Sequence, residues 1–297
     1  MLNRLFASRN RPCFKQFSQW DTLNLDLSGC QFSITLPPQD WEFPEEQRGP
    51  RVNLFDPDLY QYRDEPDRNG YPAHFKGVTR PGLFRRNWHT YGPIWRQRYI
   101  GTLQCSSVVC DTSRMDGDLN CFNQEQLERL LLHALYYSKG PGFGVNEHTT
   151  PVNWQVKTLH GIEWIYCESW SRKAEWEPAQ TAFNDEAQFS ACLTTPLFKD
   201  KYLFVTFSST GSLPAGPSNA LMLSRINAII PSLKLRLSSE AEQQKAAARK
   251  RNPNAQYSTK REPENWRYYQ RVREGDFMAD EDPLVFEGPC SPPPKLY

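Results

Sequence analysis

Residues 189–208 read FSACLTTPLFKDKYLFVTFS, and this stretch decides the fold class. It predicts two strands, Phe189 to Thr194 and Tyr202 to Ser208, because aromatic and β-branched residues favour strands. Two more strand-like segments precede it, Val152 to Leu159 and Glu163 to Trp170. Strands that follow each other this closely favour antiparallel pairing, since a parallel crossover needs about a dozen residues or more.

Helices are predicted on both sides of this run of strands. Asn123 can cap the first helix, with Gln126 at the capping-box position, and Gly140 follows its last turn. Its apolar stripe is Leu127, Leu130, Leu131, Ala134 and Leu135. The second helix begins at Ser218 and ends at Pro231. Helices around an antiparallel run indicate one sheet with helices on a face.

The remaining segments complete the predicted organisation. Gln31 to Leu36 alternates as a strand, a second short strand lies near Val52 to Phe55, and residues 56–77 form a long loop. The sequence therefore predicts an α+β fold: a single antiparallel β-sheet with two main helices packed on it and a long irregular insertion. The predicted domains are an irregular N-terminal segment (1–28), an α+β core (29–237) and a polar, partly disordered C-terminal tail (238–297).

The stretch Phe32-Ser33-Ile34-Thr35-Leu36-Pro37, which precedes Trp41, resembles the opening of the PsbP-like sandwich family. That family includes photosystem extrinsic subunits, a Ran-binding transport factor and bacterial chaperones. The closing helix Ile226 to Leu233, after several strands, is also similar, whereas residues 56–98 depart from the pattern as a large insertion. Members of the family generally bind partners, so the resemblance implies a role that is not enzymatic.

The composition excludes some broad classes of protein. The chain has 297 residues, is 38% hydrophobic and carries a formal net charge of +1, which gives no overall attraction to nucleic acid or an anionic membrane. It has no run of about 18 apolar residues, and its first twenty residues lack the apolar stretch of a secretory signal. Their basic, acid-free character also resembles a mitochondrial presequence. The eight cysteines lack paired short spacing, so we expect a cytoplasmic protein with reduced thiols and no membrane insertion.

The middle of the chain is unusual in its charge, because no acidic residue occurs between Asp67 and Asp111. Arginine binds carboxylate or phosphate bidentately, and aromatic rings offer stacking surfaces. We therefore expect a partner-binding surface formed by Arg80, Arg85, Arg86, Trp88, Tyr91, Trp95, Arg96 and Arg98. The alternative is that these arginines pair with acids elsewhere in the fold while the aromatic rings pack in the core.

Constellations for metal binding or catalysis are weak. Cys105, Cys110 and Cys121, with His133 or His148, have looser spacing than structural zinc sites favour, so we predict no metal and no cofactor. Cys167 and Cys192 are the candidate nucleophiles, but Cys167 lies in an aromatic strand typical of packing, and we assign no catalytic residue. The leading hypothesis is a non-catalytic adaptor or chaperone-like protein that binds an acidic protein or another anionic partner. A hydrolase or transferase acting on an anionic substrate is the alternative, and an RNA-binding protein is a second alternative, which the neutral charge disfavours.

Overall fold

The computed structural model describes residues 2–8, 11–40, 45–60, 80–95, 99–115, 117–139, 147–148, 151–172, 189–211, 215–261, 268–270 and 284–286. The α-helices are α1 Leu2–Leu5, α2 Gln124–Lys139, α3 Ala215–Ile229 and α4 Ser239–Arg251. The strands are β1 Cys13–Phe14, β2 Asp21–Leu27, β3 Cys30–Leu36, β4 Glu46–Gln47, β5 Arg51–Val52, β6 Gly82–Tyr91, β7 Tyr99–Asp111, β8 Glu147–His148, β9 Val152–Leu159, β10 Ile162–Arg172, β11 Phe189–Phe198, β12 Lys201–Gly211, β13 Lys234–Arg236, β14 Tyr268–Gln270 and β15 Leu284–Phe286. Single 3-10 turns occur at Pro57–Tyr60 and Ile230–Ser232.

A large, curled antiparallel sheet forms the centre of the molecule. Its strands follow the order β1-β6-β7-β12-β11-β10-β8, while β4 also pairs with β6 and β9 also pairs with β10. The four strands predicted from Val152 to Ser208 are confirmed as β9 to β12, and each neighbouring pair is antiparallel. Two residues join β9 to β10 and two residues join β11 to β12, which leaves no room for a crossover within either pair.

A second sheet has the order β13-β3-β2-β5. The two-residue turn Ser28-Gly29 joins β2 to β3, with φ angles of 53° and 89°. Two consecutive positive φ values match the twist of a hairpin, and only glycine adopts such a φ without strain. A Cβ at Gly29 would also lie 3.2 Å from the Cβ of Ser238, so this hairpin packs closely against the start of α4.

The core lies in two layers, one on each face of the large sheet. The first layer joins the large sheet to the second sheet and to α3, through residues that include Leu25, Phe32, Trp88, Phe207 and Ile226. The second layer joins the opposite face to α2, through residues that include Leu127, Leu131, Ile165, Tyr202 and Phe204. Burial of such side chains stabilises the fold by about 1.5–3 kcal/mol each.

The predicted α2 helix is present with its cap. The Asn123 side-chain oxygen accepts the backbone N–H groups of Glu125 and Gln126, at 3.1 and 3.3 Å. Gln126 departs from the capping-box pattern, because its side chain accepts the N–H of Asn120 instead.

The second predicted helix is α3, which begins at Ala215, three residues before the predicted Ser218. Within the described residues, no helix is long and apolar enough to cross a membrane.

The prediction of an α+β fold with a single sheet is wrong, because the described chain is mostly β and carries a second sheet beside the large one. The strand β2 lies inside the segment predicted as irregular (1–28). The prediction missed it because Asn24 and Asp26 occupy the positions between its buried leucines, and Asp and Asn are rare in strands. The strand β6 lies within the predicted insertion. The helix α4 occupies the start of the predicted tail, where Ser238 caps it by accepting the N–H of Ala241.

Candidate functional site

The strand β6 carries most of the described residues of the predicted partner-binding surface, and two segments run along it. β1 pairs with its end, so that Cys13 lies opposite Tyr91. The chain that follows β3 runs beside its middle, where the N–H of Asp40 donates to the carbonyl of Asn87 at 3.2 Å. The side chains of β6 therefore meet residues that are about 50 to 80 positions away in sequence.

Arg86 and Trp88 are buried on the core side of β6, with exposed fractions of 2% and 1%. Arg86 Nη1 donates to the carbonyl of Pro37 at 3.0 Å, and its Nε forms an ion pair with Glu45. Trp88 Nε1 donates to the carbonyls of Pro37 and Pro38, at 3.2 and 3.0 Å. These two residues are therefore not available to a partner, and the alternative of internal pairing and packing applies to them.

The other predicted arginines are dispersed. Arg85 is exposed and forms an ion pair with Glu46 on the neighbouring strand β4. Arg80 donates to the carbonyl of Ala134 in α2, at 3.4 Å, and so lies towards the other face of the large sheet. Arg96 and Arg98 lie outside the described residues. The members of this set that the structure describes are therefore spread over both faces of the large sheet, with Arg86 and Trp88 buried.

A polar cluster that the sequence does not predict lies at the end of β6. The Asp40 side chain is 2% exposed, and its Oδ1 accepts the backbone N–H of His89 at 2.7 Å. Its Oδ2 accepts the Tyr91 hydroxyl at 3.3 Å, and His89 Nδ1 lies 3.2 Å from the Asp40 carbonyl oxygen. Burial raises the pKa of Asp40, while the N–H of His89 opposes that shift. Burial and the nearby Asp40 raise the pKa of Tyr91 to about 12.

Exposed apolar side chains lie on the segments that contact this cluster. The Tyr99 ring stacks on the His89 imidazole, with centroids 4.1 Å apart and planes 29° apart. The Arg4 guanidinium lies 4.8 Å from the centre of the Tyr91 ring, so α1 packs against the same end of the sheet. We call this region the hairpin-end surface, which consists of Arg4, Leu5, Phe6, Tyr91, Ile94, Trp95 and Tyr99. The exposed fractions are 75% for Phe6 and Trp95, about half for Leu5 and Tyr99, and 42% for Ile94.

Basic groups lie beside this surface. Lys15 and Arg225 both interact electrostatically with Asp40, and Arg225 also donates to the carbonyl of Lys15 at 3.5 Å. The Arg225 guanidinium lies 4.6 Å from the centre of the Phe14 ring, which holds it against β1. Among the described residues, Arg4, Lys15 and Arg225 are the basic groups that contact this cluster, and the Asp40 carboxyl group is buried.

The three cysteines considered as candidate metal ligands do not all lie on one face of the sheet. Cys105 packs in the core layer between the two sheets, whereas Cys110 and Cys121 pack in the layer against α2. In the described part of the chain, no group of three metal-ligating side chains is placed to hold an ion.

A surface cavity of about 400 Å³ lies away from the Asp40 cluster and is lined by Phe55, Thr112, Ser113, Met115, Gly117, Asp118, Leu119, Lys199, Asp200 and Gln244. It contains no member of the Asp40 cluster.

The sequence contains one signal that points to the hairpin-end surface, which is the aromatic interleaving around Trp95 and Tyr99. Nothing in the sequence points to Asp40, because its partners His89 and Tyr91 are about 50 residues away.

The resemblance to the PsbP-like sandwich family stays a prediction. No protein-family model matches this sequence, and no curated protein sequence matches it either.

Proposed function

We propose that this protein binds a partner protein through the hairpin-end surface, as a non-catalytic adaptor or chaperone-like protein. The observation that carries the proposal is the 75% exposure of Phe6 and of Trp95, on the segments that carry Arg4 and Tyr91, whose side chains contact each other. Exposed apolar side chains that gather into a patch are uncommon on soluble monomers and mark interaction sites. Tryptophan, tyrosine and arginine are also the residues that most often dominate the energy of protein interfaces.

The proposed partner is an acidic segment of another protein that carries apolar side chains. Arg4 lies over the Tyr91 ring, Lys15 and Arg225 interact with Asp40, and the Asp40 carboxyl group is buried. Opposite charges increase the association rate and select the partner, while apolar contact at the centre of an interface supplies most of the affinity. A segment with both features matches this surface.

The polar cluster supports the surface from below. Asp40 holds Tyr91 through its hydroxyl, and His89 provides the flat ring on which Tyr99 stacks. Fixing aromatic rings before binding reduces the entropy that is lost on association. The competing hypothesis of a hydrolase or transferase would use Asp40 and His89 as acid and base. Their burial, and the position of the described cavity away from them, favour the supporting role.

The test is affinity capture from the native host with the double variant Phe6→Ser and Trp95→Ser. The matched control is Phe55→Ser, which removes a ring of 51% exposure from a different part of the molecule. We expect one stoichiometric acidic protein to bind the wild type and the control, to be lost by the double variant, and to dissociate in high salt. A photo-crosslinking residue at position 95 should form a covalent adduct with that protein.

Three outcomes would contradict the proposal. Equal capture by the wild type and the double variant would show that the surface is not used. Loss of the captured protein from the Phe55→Ser control would show that the effect is not specific. Loss of all binding after nuclease treatment would assign the surface to nucleic acid. Thermal unfolding of each variant checks that the fold is intact, and because the removed side chains are exposed we expect little change.

A further inference from the structure

Cys167 and Cys192 lie opposite each other on neighbouring strands of the large sheet. Cys167 belongs to β10 and Cys192 to β11, and the antiparallel register pairs them directly. Their two Sγ atoms are 3.1 Å apart, and both side chains are buried in the core layer against α2. A disulfide bond has an S–S distance of about 2.05 Å. The two sulfur atoms therefore need to approach by only about 1 Å to form one.

The backbone geometry of this pair also suits a disulfide bond. Residues directly opposite in an antiparallel pair have Cα atoms about 4.5 Å or about 5.5 Å apart, depending on the hydrogen-bonding pattern. Disulfide bonds span Cα separations of about 4.4–6.8 Å, so both patterns fall in that range. Bond formation thus requires rotation of the side chains and only a small shift of the strands.

A β-bulge in β9 lies beside Cys167. The register between β9 and β10 changes between Tyr166 and Glu168, so that Asn153 and Trp154 of β9 together oppose Cys167. Asn153 has a φ of 53°, and its side chain donates to Glu168 at 2.8 Å. The bulge interrupts the ladder on the β9 side of Cys167, while the pairing of Cys167 with Cys192 on β11 stays in regular register.

The register gives the other described cysteines of the large sheet no such neighbour. Cys105 lies opposite Arg86 on one side and Phe207 on the other, Cys110 lies opposite Tyr202, and Cys13 lies opposite Tyr91. Among the described residues, Cys167 and Cys192 are therefore the two thiols in direct cross-strand register. Cys105 and Cys110 are buried as well and serve as internal controls.

We propose that Cys167 and Cys192 form a redox pair that a hydroperoxide converts into a disulfide bond between β10 and β11. In the first step one thiol, as its thiolate, attacks the peroxide, the O–O bond breaks, and a sulfenic acid and an alcohol or water are formed. In the second step the other thiol attacks the sulfenic sulfur, the S–S bond forms, and water leaves. The two thiols lose two protons and two electrons in total, and the peroxide is the species reduced.

Burial sets the rate of this reaction. The contact with Cys192 and the loss of solvation raise the pKa of the Cys167 thiol, which lowers the thiolate fraction at neutral pH. We therefore expect oxidation to take hours with millimolar hydrogen peroxide, and to become faster at higher pH. Cys13 is the least buried described cysteine, so the test uses a Cys13→Ser background to suppress bonds between molecules.

The experiment treats the folded full-length protein with hydrogen peroxide, blocks the remaining thiols with an alkylating reagent after denaturation, and maps the peptides by mass spectrometry. We expect one linked pair of peptides that contains Cys167 and Cys192 and lacks the mass of two hydrogen atoms, while Cys105 and Cys110 remain alkylated. The bond closes a loop in the unfolded chain, so it should raise the midpoint of thermal unfolding by about 5 to 10 °C, reversibly with dithiothreitol.

Two controls make the outcome decisive. Cys192→Ser should abolish both the linked peptide and the reversible shift of the midpoint, whereas Cys110→Ser should retain both. If Cys192→Ser fails to fold, peptide mapping of the protein that keeps both thiols still decides the question. Full alkylation of Cys167 and Cys192 after peroxide treatment, at the level of Cys105, would overturn the proposal. A linked peptide that joins any other cysteines would overturn it as well.

Discussion

Reversal of charge at two adjacent arginines should have very different consequences. The Arg86 side chain is 3% exposed and is directed at the carbonyls of Leu36 and Pro37 and at the Glu45 carboxylate. The Asp21 carboxylate lies 3.9 Å from it as well. In Arg86→Glu a buried carboxylate would face the carbonyls of Leu36 and Pro37 and the carboxylates of Glu45 and Asp21.

The structure sets the size of this effect. Breaking a buried ion pair costs about 3–5 kcal/mol, and here the cost arises at position 86, where the new carboxylate would be buried without a counter-charge, because Glu45 itself is 31% exposed. Arg85, by contrast, has a side chain that is 45% exposed and pairs with the 64% exposed Glu46, and such surface pairs contribute at most about 1 kcal/mol. We therefore expect Arg86→Glu to lower the midpoint of thermal unfolding by about 8 to 16 °C and Arg85→Glu by less than about 4 °C.

Urea and thermal unfolding of both variants, followed by circular dichroism and tryptophan fluorescence, measure the difference. Arg86→Met, which keeps the length of the side chain without its charge, should be intermediate. Equal midpoints for Arg85→Glu and Arg86→Glu would refute the buried pairing of Arg86. The expected result also means that loss of partner binding in Arg86→Glu reports unfolding, so this variant is unsuitable for mapping the hairpin-end surface.

Two further predictions concern the buried carboxyl groups of Glu128 and Asp40. Glu128 accepts hydrogen bonds from the Ser258 hydroxyl at 2.8 Å and from Arg261 at 3.2 Å, so Glu128→Gln should release residues 252–261. Tryptic cleavage after Arg251 and Lys260 should become several-fold faster, and unchanged cleavage relative to the exposed control Glu125→Gln would contradict this reading. For Asp40, burial raises the folded-state pKa above the unfolded value of about 3.9, so its contribution to stability falls as pH rises through the raised pKa. The free energy of unfolding of the wild type minus that of Asp40→Asn should decrease from about pH 4 upward. The same difference measured with Asp26→Asn should increase with pH, because the Gly29 N–H lowers the pKa of Asp26. If the difference for Asp40→Asn does not change with pH, the pKa of Asp40 is not raised by folding and the prediction is wrong.

The parts of the fold that the sequence predicts depend on local patterns. The strands β9 to β12 follow from their aromatic and β-branched residues, and α2 follows from its cap and apolar stripe. The strand β2 also has a local signal, since Leu23, Leu25 and Leu27 alternate and are buried, but Asp and Asn at the exposed positions obscure it. The second sheet was beyond local patterns, because the pairing of β3 with β13 joins segments about 200 residues apart.

The candidate site depends on contacts that are even less visible in the sequence. The acid-free run around β6 indicates a basic surface only if no acid from elsewhere reaches it, yet Glu45, Glu46 and Asp40 all lie on segments that border this strand. Charge along a segment therefore does not determine charge on the folded surface, because ion pairs form between distant segments. Exposure of Trp95 likewise follows from its place in the fold, since Trp88 has the same side chain and is buried.

Pro37 and Pro38 connect these observations. Proline has no N–H, so this pair cannot continue the ladder of β3, and the carbonyl groups that follow the strand must find donors elsewhere. The side chains of Arg86 and Trp88 supply those donors, which requires both of them to turn into the core. The same two prolines lead the chain to Asp40, whose carboxylate positions Tyr91 at the end of β6. The feature that ends a strand in the sequence thus determines which arginine and which tryptophan of β6 are buried, whereas Trp95, beyond the end of the strand, is 75% exposed.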